Sequence, residues 1–416
     1  MTLPAAITAT SPSANRRASG RARVATNACL TLAAVLLYAW VASVTGQIDA
    51  NSGRGYDGVA YARMLEVGWS EGTANTALRP LIVWLNQPVF GVTGDAVEAF
   101  RLMNYVYAGL LCLALCLLFD EYSDDAAVKV LLVANVMLSI PTLKYAAYYP
   151  VLIDIGAAAV LTFAMWLIVS GRRIPAAIAC VAAVLSREFA VAVIAFGVVR
   201  GLRHHVPVPK IAVTYGPAAV VFIVWRSVVA EYVHNDAIVS IGRLLSNAAL
   251  WLDPGFVAFF LYFAVTLFGG VTMFVWAKLP IGIRHMRHEP EWAVFAAAVS
   301  APALLGSADI WRYLGYLLPV VAVLFAICAR DLQISRRWMT GLLICAATVV
   351  TQRPSQTLDL TAYFRDWFPY YVYRGGVPAE AMHPEIWPLW AWRFMIAAVF
   401  FYLVAALPAL TTGRQR

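Results

Sequence analysis

Of the 416 residues, 62% are hydrophobic and 13% charged, with 14 Trp, 19 Tyr and 20 Phe and a mean hydropathy of +0.72. Soluble domains run near about 45–50% apolar and about 25% charged, so the soluble, disordered, collagen-like and disulfide-scaffold classes are excluded. The chain reads as a polytopic membrane protein. Its formal charge of +8 comes from 31 basic and 23 acidic residues, and only four of the basic ones are Lys (Lys129, Lys144, Lys210 and Lys278). Such an excess is first a topology signal, because basic residues collect in cytoplasmic loops. No recognition motif accompanies it, so no nucleic-acid partner is expected.

Residues 1–23 are polar, carry Arg16, Arg17, Arg21 and Arg23, and read as a cytoplasmic tail. The apolar run that follows is longer than a signal-peptide core and lacks a clear small-residue cleavage site, so a retained first span is expected. A spanning helix needs about 20 apolar residues. The clear runs are 24–46, 100–119, 126–140, 150–170, 174–200, 211–230, 255–277, 291–305, 313–329, 338–350 and 388–409. No strand alternation competes with them, and in lipid only helices or closed barrels satisfy the backbone. The expectation is an all-α transmembrane bundle over 24–409, about twelve helices with both ends inside and a short tail at 410–416. The six Cys all lie in apolar stretches without a C-x-x-C, which favours buried thiols over a metal site or disulfides.

The loop after Phe119 holds Asp120, Glu121, Asp124 and Asp125, but acids weigh little in the sidedness rule. The stretch 78–91 carries two prolines and is too short to span, so it reads as an interfacial helix. Arg172 and Arg173 fall inside after four spans. One straight helix over 174–200 would put Arg200, Arg203, His204, His205 and Lys210 outside. A break at Leu185–Glu188, making a hairpin, returns that cluster to the inside and places Lys278, Arg284, Arg287, Arg330, Arg336, Arg337, Arg414 and Arg416 there as well. The extracytoplasmic side then collects the long loops 47–99 and 351–387, which exceed the length of mere connections.

Candidate chemistry gathers on that outer side. Asp57, beside Tyr56, sits where an amphipathic helix begins, and reads either as its N-cap or as a carboxylate presented at the membrane surface. Arg187 and Glu188 interrupt an apolar run, and charges at bilayer depth are functional candidates by default; the alternative is an ion pair fixing the turn. Asp154 begins a span after the Tyr-rich stretch that ends at Tyr149, and reads otherwise as an interface residue paired with Lys144 or Arg187. Asp309 and Arg312 close a short loop, where an Arg fork suits a phosphate and an Asp–Arg surface pair is the plainer account. The mixture of charges, Trp and Tyr in 351–387 suits sugar recognition or an interfacial belt alike. Walker, nucleophile-elbow and zincin signatures are absent.

In this order and spacing, over roughly 24–330, the chain resembles the GT-C superfamily of membrane glycosyltransferases. The resemblance rests on Gly55-Tyr56-Asp57-Gly58 in the first long outer loop, Tyr149-Pro150 and Asp154 opening a later span, the Ser186-Arg187-Glu188 break, and Arg312-Tyr313 preceding Pro319. It implies an enzyme of the cell (inner) membrane that moves a hexosyl or pentosyl group from a polyprenyl-phosphate donor to a glycan, lipid or protein acceptor at the extracytoplasmic face, with inversion. By that analogy Asp57 is the general base and Arg187 and Arg312 hold the donor phosphate, supported by Tyr56, Tyr149, Asp154, Glu188 and Asp309. A single acid at position 57 departs from the paired acids of some relatives and leaves a need for Mg²⁺ or Mn²⁺ open. The alternatives are a membrane polysaccharide polymerase or ligase, which would lean on outer-loop Arg rather than Asp57, and a lipid or glycan flippase, which would show charges leading to both faces.

Overall fold

The structure is a computed structural model that describes residues 15–44, 47–48, 51–55, 57–233, 250–252, 257, 260–261, 264–306, 310–330, 334–352, 395 and 397–404. Among the described residues the chain is all-helical and contains no strand. The expected segments 353–387 and 410–416, with Tyr56 and Asp309, lie outside the described residues.

The first helix, α1 (Asn15–Val44), begins earlier than the apolar run and takes in part of the polar tail. The outer segment folds into α2 (Asp57–Glu66), the short α3 (Ala74–Ala77) and α4 (Pro80–Thr93). Pro80 starts α4 where its missing N–H costs nothing, and Gly94 closes it in the left-handed region, donating to the Phe90 carbonyl. This is the short helix expected at 78–91. Next come α5 (Ala96–Asp120), capped by Asp95, and α6 (Ala126–Met137), capped by Asp125.

The run 126–140, expected as one span, bends instead. Beyond Met137 the chain makes a wide turn through Pro141 before α7 (Tyr145–Tyr148), and the two parts meet at 50°. Pro141 removes the backbone donor that would pair with the Met137 carbonyl, and the Thr142 hydroxyl donates to that carbonyl at 3.0 Å, while the Ser139 and Thr142 hydroxyls also donate to the Val136 carbonyl at 2.5 and 2.6 Å. This is how non-helical backbone is tolerated at membrane depth.

The remaining helices are α8 (Asp154–Val169), α9 (Arg173–Ser186), α10 (Val191–Arg203), α11 (Val208–Tyr232), α12 (Gly270–Ala277), α13 (Leu279–His288), α14 (Pro290–Gly306), α15 (Ile310–Leu314), α16 (Leu318–Ala329) and α17 (Ile334–Gln352). Among the described residues four stretches are long and apolar enough to cross a membrane: Gly20–Val44, α5, α11 and Arg312–Ala329; the bent pair makes a fifth if it is one span. At 1.5 Å per residue, a 25-residue helix such as α5 reaches about 37 Å, beyond the roughly 30 Å hydrocarbon core. α8, α9 and Met339–Val349 are apolar but shorter.

The break between α9 and α10 lies where the charges announced it. Arg187 is extended between Ser186 and a 3₁₀ turn over Glu188–Ala190. The two halves form a hairpin, because the start of α9 and the end of α10 lie side by side: Arg173, Ala176, Arg200, Gly201 and His204 border one cavity, and Arg200 donates to the Val169 carbonyl at the end of α8.

Among the described residues the basic clusters of Arg200, Arg203 and Arg330 gather at one end of the bundle. There Arg200 and Arg203 bind the buried Glu291 at 2.9 and 2.7 Å, Tyr122 donates to Glu289, and Arg330 donates to the Tyr122 carbonyl. Two of the acids of the 120–125 loop are neutralised within this end, Asp120 by the buried Lys129 and Asp124 by Arg23, while Glu121 accepts from the Trp166 indole and Asp125 caps α6. Cys112, Cys116, Cys180 and Cys328 are buried as expected, whereas Cys29 and Cys345 are exposed on the outer surface of the bundle. Tyr145–Asp154, Arg187 and Arg312 meet α2 at the other end.

Candidate active site

The Gly55–Gly58 stretch owes its shape to one ring. The Tyr149 ring is buried against it: a Cβ on Gly55 would lie 2.3 Å from the ring, and one on Gly58 2.9 Å from it. Gly55 also has φ +65°, which favours glycine. The Gly58 N–H donates to the Tyr149 hydroxyl at 2.9 Å. The ring in turn is anchored from behind, where Ile48 N–H donates to the Tyr148 carbonyl and Asn104 donates to that of Pro150 at 3.0 Å. Asp57 is thereby fixed as the first residue of α2, and not as a cap preceding the helix.

Asp57 faces Arg312, whose Nη1 donates to its Oδ2 at 3.0 Å while the Nη2 donates to Asp154 Oδ2 at 2.8 Å. One guanidinium therefore joins two carboxylates from the starts of α2 and α8. Arg312 is buried, with its guanidinium carbon 5.7 Å from the Tyr145 ring centre. Asp309, the partner its loop position suggested, lies outside the described residues. Asp154 is further held by the Tyr316 hydroxyl at 2.9 Å and by Arg187 Nη2 at 3.3 Å, the partner expected from the sequence.

Arg187 has the least satisfied cation of the group. Its side chain is 1% exposed, and the rings of Tyr313, Phe189 and Tyr316 enclose the guanidinium at 5.0, 5.3 and 5.6 Å. Among the described residues its Nε and Nη1 have no hydrogen-bond partner. A buried polar group left unmade costs about 1–3 kcal/mol, more when charged.

Glu188 points elsewhere. It accepts from Arg79 at both oxygens, through Nε at 2.6 Å and Nη2 at 2.5 Å, while Arg79 Nη1 donates to the Tyr61 hydroxyl at 2.9 Å. The pair ties the α9–α10 turn to the start of α4. Arg79, Tyr61 and Tyr316 are members of the site that the sequence reading missed. The only sequence signal for Arg79 is an Arg directly before the proline that opens an apolar helix. Three arginines thus face three carboxylates, and of the three Arg79 alone donates from all its nitrogens within this group.

Asp57 is the open member, its side chain 52% exposed whereas Arg312 is 2% and Asp154 11%. Partial burial pushes its carboxyl up, but the charge and hydrogen bond of Arg312, with Arg79 and Arg187 farther away, outweigh burial and hold it below the usual carboxylate range. The site consists of a half-exposed carboxylate, Asp57, beside a buried network in which Arg312 and Arg187 share Asp154. Among the described residues no group of three or more His, Cys, Asp or Glu stands close enough to hold a metal ion. Tyr149, Asp57, Asp154, Arg187 and Arg312 are brought into one constellation, Glu188 lies beside it through Arg79, and Tyr56 and Asp309 are outside the described residues. No protein family, curated protein or solved structure matches the chain.

Proposed function

We propose that the chain is a GT-C-type glycosyltransferase of the inner membrane, about twelve helices with both termini cytoplasmic, which transfers a sugar from a polyprenyl-phosphate donor to an acceptor hydroxyl at the extracytoplasmic face. The observation that carries the reading is the juxtaposition of a half-exposed Asp57 with the buried, under-satisfied Arg187 through the shared arginine Arg312. Acid–base work needs a carboxylate that the acceptor can reach, and a departing phosphate needs cations where water is excluded. Both are supplied within one hydrogen-bonded chain, at the end of the bundle opposite the basic clusters, in keeping with an extracytoplasmic site.

In the reaction the acceptor oxygen bonds to the anomeric carbon as the bond from that carbon to the phosphate oxygen breaks. The electron pair leaves with the polyprenyl phosphate, and the acceptor proton passes to Asp57. Arg187 offers its free Nε and Nη1 hydrogens to the phosphate. Arg312 stands between base and phosphate, and its sharing with the anion weakens its hold on Asp57. That raises the basicity of a carboxylate which Arg312 otherwise depresses, so donor binding prepares the base. Tyr149 acts as a positioning residue through Gly58, and Asp154 keeps Arg312 and Arg187 aimed.

The clustering of Arg79, Arg187 and Arg312 favours a second reading, a polysaccharide polymerase or ligase acting on a lipid-linked pyrophosphate, in which the arginines do the work and Asp57 only holds Arg312. The test is purified protein in lipid offered a panel of polyprenyl-phosphate sugars, with release of free polyprenyl phosphate as the readout. Release with one donor supports the transferase. No release with any donor, from protein shown to be folded, moves the assignment to the second reading.

A further inference from the structure

A second site lies at the opposite end of the bundle. A cavity of about 270 Å³ opens where the end of α8, the start of α9, the end of α10 and the start of α11 converge. Its rim carries Arg172, Arg173, Arg200, His204 and Lys210, and no Asp or Glu lines it. Its floor is apolar, with Leu167, Ala176 and Ile211 buried.

The charges on this rim are not all engaged by the protein. Arg200 is held by Glu291 and the Val169 carbonyl, and Arg172 stacks on Trp166 with 4.7 Å to the ring centre. Arg173 and Lys210, both exposed, have no ion-pair partner among the described residues. Directly along the same helices run side chains that only hydrocarbon would cover: Ile174 and Ile178 on one face of α9, 77% and 68% exposed, and Val213 on α11, 76% exposed. A cationic rim above an apolar floor, continuous with apolar helix faces, matches one chemistry: a negatively charged headgroup with acyl chains attached.

We propose that this cavity binds an anionic phospholipid of the leaflet at the basic end, its headgroup phosphate between Arg173 and Lys210 and a chain lying against Ile174 and Ile178. Basic recesses between membrane helices on the cytoplasmic side hold anionic headgroups by this physics. The site is independent of the proposed catalysis, since it lies across the bundle from Asp57. Its occupant would fasten the α9–α10 hairpin to α11 at the end where the hairpin has no covalent closure except through residues 204–207.

The experiment measures lipid binding to the purified full-length chain in neutral detergent by native mass spectrometry, titrating phosphatidylglycerol, phosphatidylcholine and, at matched ionic strength, inorganic phosphate. The cavity variant Arg173→Gln/Lys210→Gln is compared with Arg284→Gln/Arg287→Gln, which removes two exposed charges from α13 at the same end but outside the cavity. Saturable phosphatidylglycerol binding, weakened roughly 30-fold in the cavity variant and near wild type in the α13 variant, is expected. Lys210→Glu alone, a second variant at the exposed rim, weakens binding in the same direction. Equal weakening by both double variants shows diffuse attraction to a basic surface and overturns the proposal. Equal binding of phosphatidylcholine, or displacement of the lipid by inorganic phosphate alone, overturns it also.

Discussion

Replacing Arg187 by Ala separates a ligand-binding arginine from one that merely closes a turn. In the folded protein Arg187 makes one ion pair at 3.3 Å, to Asp154, which keeps closer contacts with Arg312 and Tyr316 at 2.8 and 2.9 Å. Asp154 therefore does not become an unpaired buried charge when Arg187 is lost, and the usual cost of about 3–5 kcal/mol for breaking a buried pair is not incurred in full. The two open donors, Nε and Nη1, are relieved as well. The expected loss of stability is about 1–3 kcal/mol, set mainly by the space left among Phe189, Tyr313 and Tyr316.

Donor affinity suffers more. Two charge-assisted hydrogen bonds to phosphate, at about 1.5–3 kcal/mol each, amount to roughly 10²–10⁴-fold. Arg187→Lys keeps the charge but not the fork, and recovers only part of the loss. The assay pairs thermal unfolding in detergent with equilibrium binding of a fluorescent polyprenyl-phosphate sugar. Unchanged donor affinity in a folded Arg187→Ala protein would return this residue to a structural role and remove the basis for a phosphate site.

Three further outcomes follow from the geometry. Gly55→Ala places a methyl 2.3 Å from the Tyr149 ring at a backbone φ of +65°, so the protein expresses poorly or loses transfer, and Tyr149→Ala in the same chain recovers part of the yield by removing the clash, while the backbone strain at position 55 remains. Glu188→Gln weakens a bidentate pair whose Arg79 is 9% exposed at its side chain, and lowers thermal stability by about 2–4 kcal/mol without moving the pH profile of transfer. Arg312 holds the carboxyl of donor-free Asp57 down, so the acid limb of kcat/KM lies below the ordinary carboxylate pKa near 4, whereas that of kcat, set in the donor complex, lies higher. Because the folded pKa is depressed, the pair stabilises the fold above the unfolded pKa and that contribution is lost as pH falls through the folded one. Arg312→Gln reverses the balance, and burial then moves the acid limb of the residual activity to higher pH.

The features most visible in the sequence are those that violate the membrane's rules. Arg187 and Glu188 stand in an otherwise apolar run, so the break there could be read from charge alone, and sidedness of the basic loops required the hairpin that the Arg200–Val169 contact displays. Asp57 was marked by its glycines, though their cause, the Tyr149 ring, is 91 residues away and invisible to local pattern. The bend after Met137 was hidden because the run stays apolar through it, and Pro141 alone does not fix where a helix turns. Pairing is the least legible layer. Arg312 and Asp57 are separated by 255 positions, and Arg79 and Glu188 by 109. Nothing in spacing says which of several charges at one end of a bundle will meet, and so Arg187 and Glu188, adjacent in sequence, were not separable into a donor-facing cation and a turn-fixing anion.

The central claim is that Asp57 takes the acceptor's proton. Asp57→Asn removes one hydrogen-bonded ion pair from a half-exposed position, which is worth at most about 1 kcal/mol to the fold. The most direct measurement compares wild type and Asp57→Asn in lipid for acceptor-dependent release of polyprenyl phosphate, alongside donor affinity and unfolding temperature. The account predicts that release falls about 10²–10⁴-fold while affinity and unfolding change little. Retained turnover in Asp57→Asn would contradict it, and would leave the arginine cluster as the seat of a different reaction.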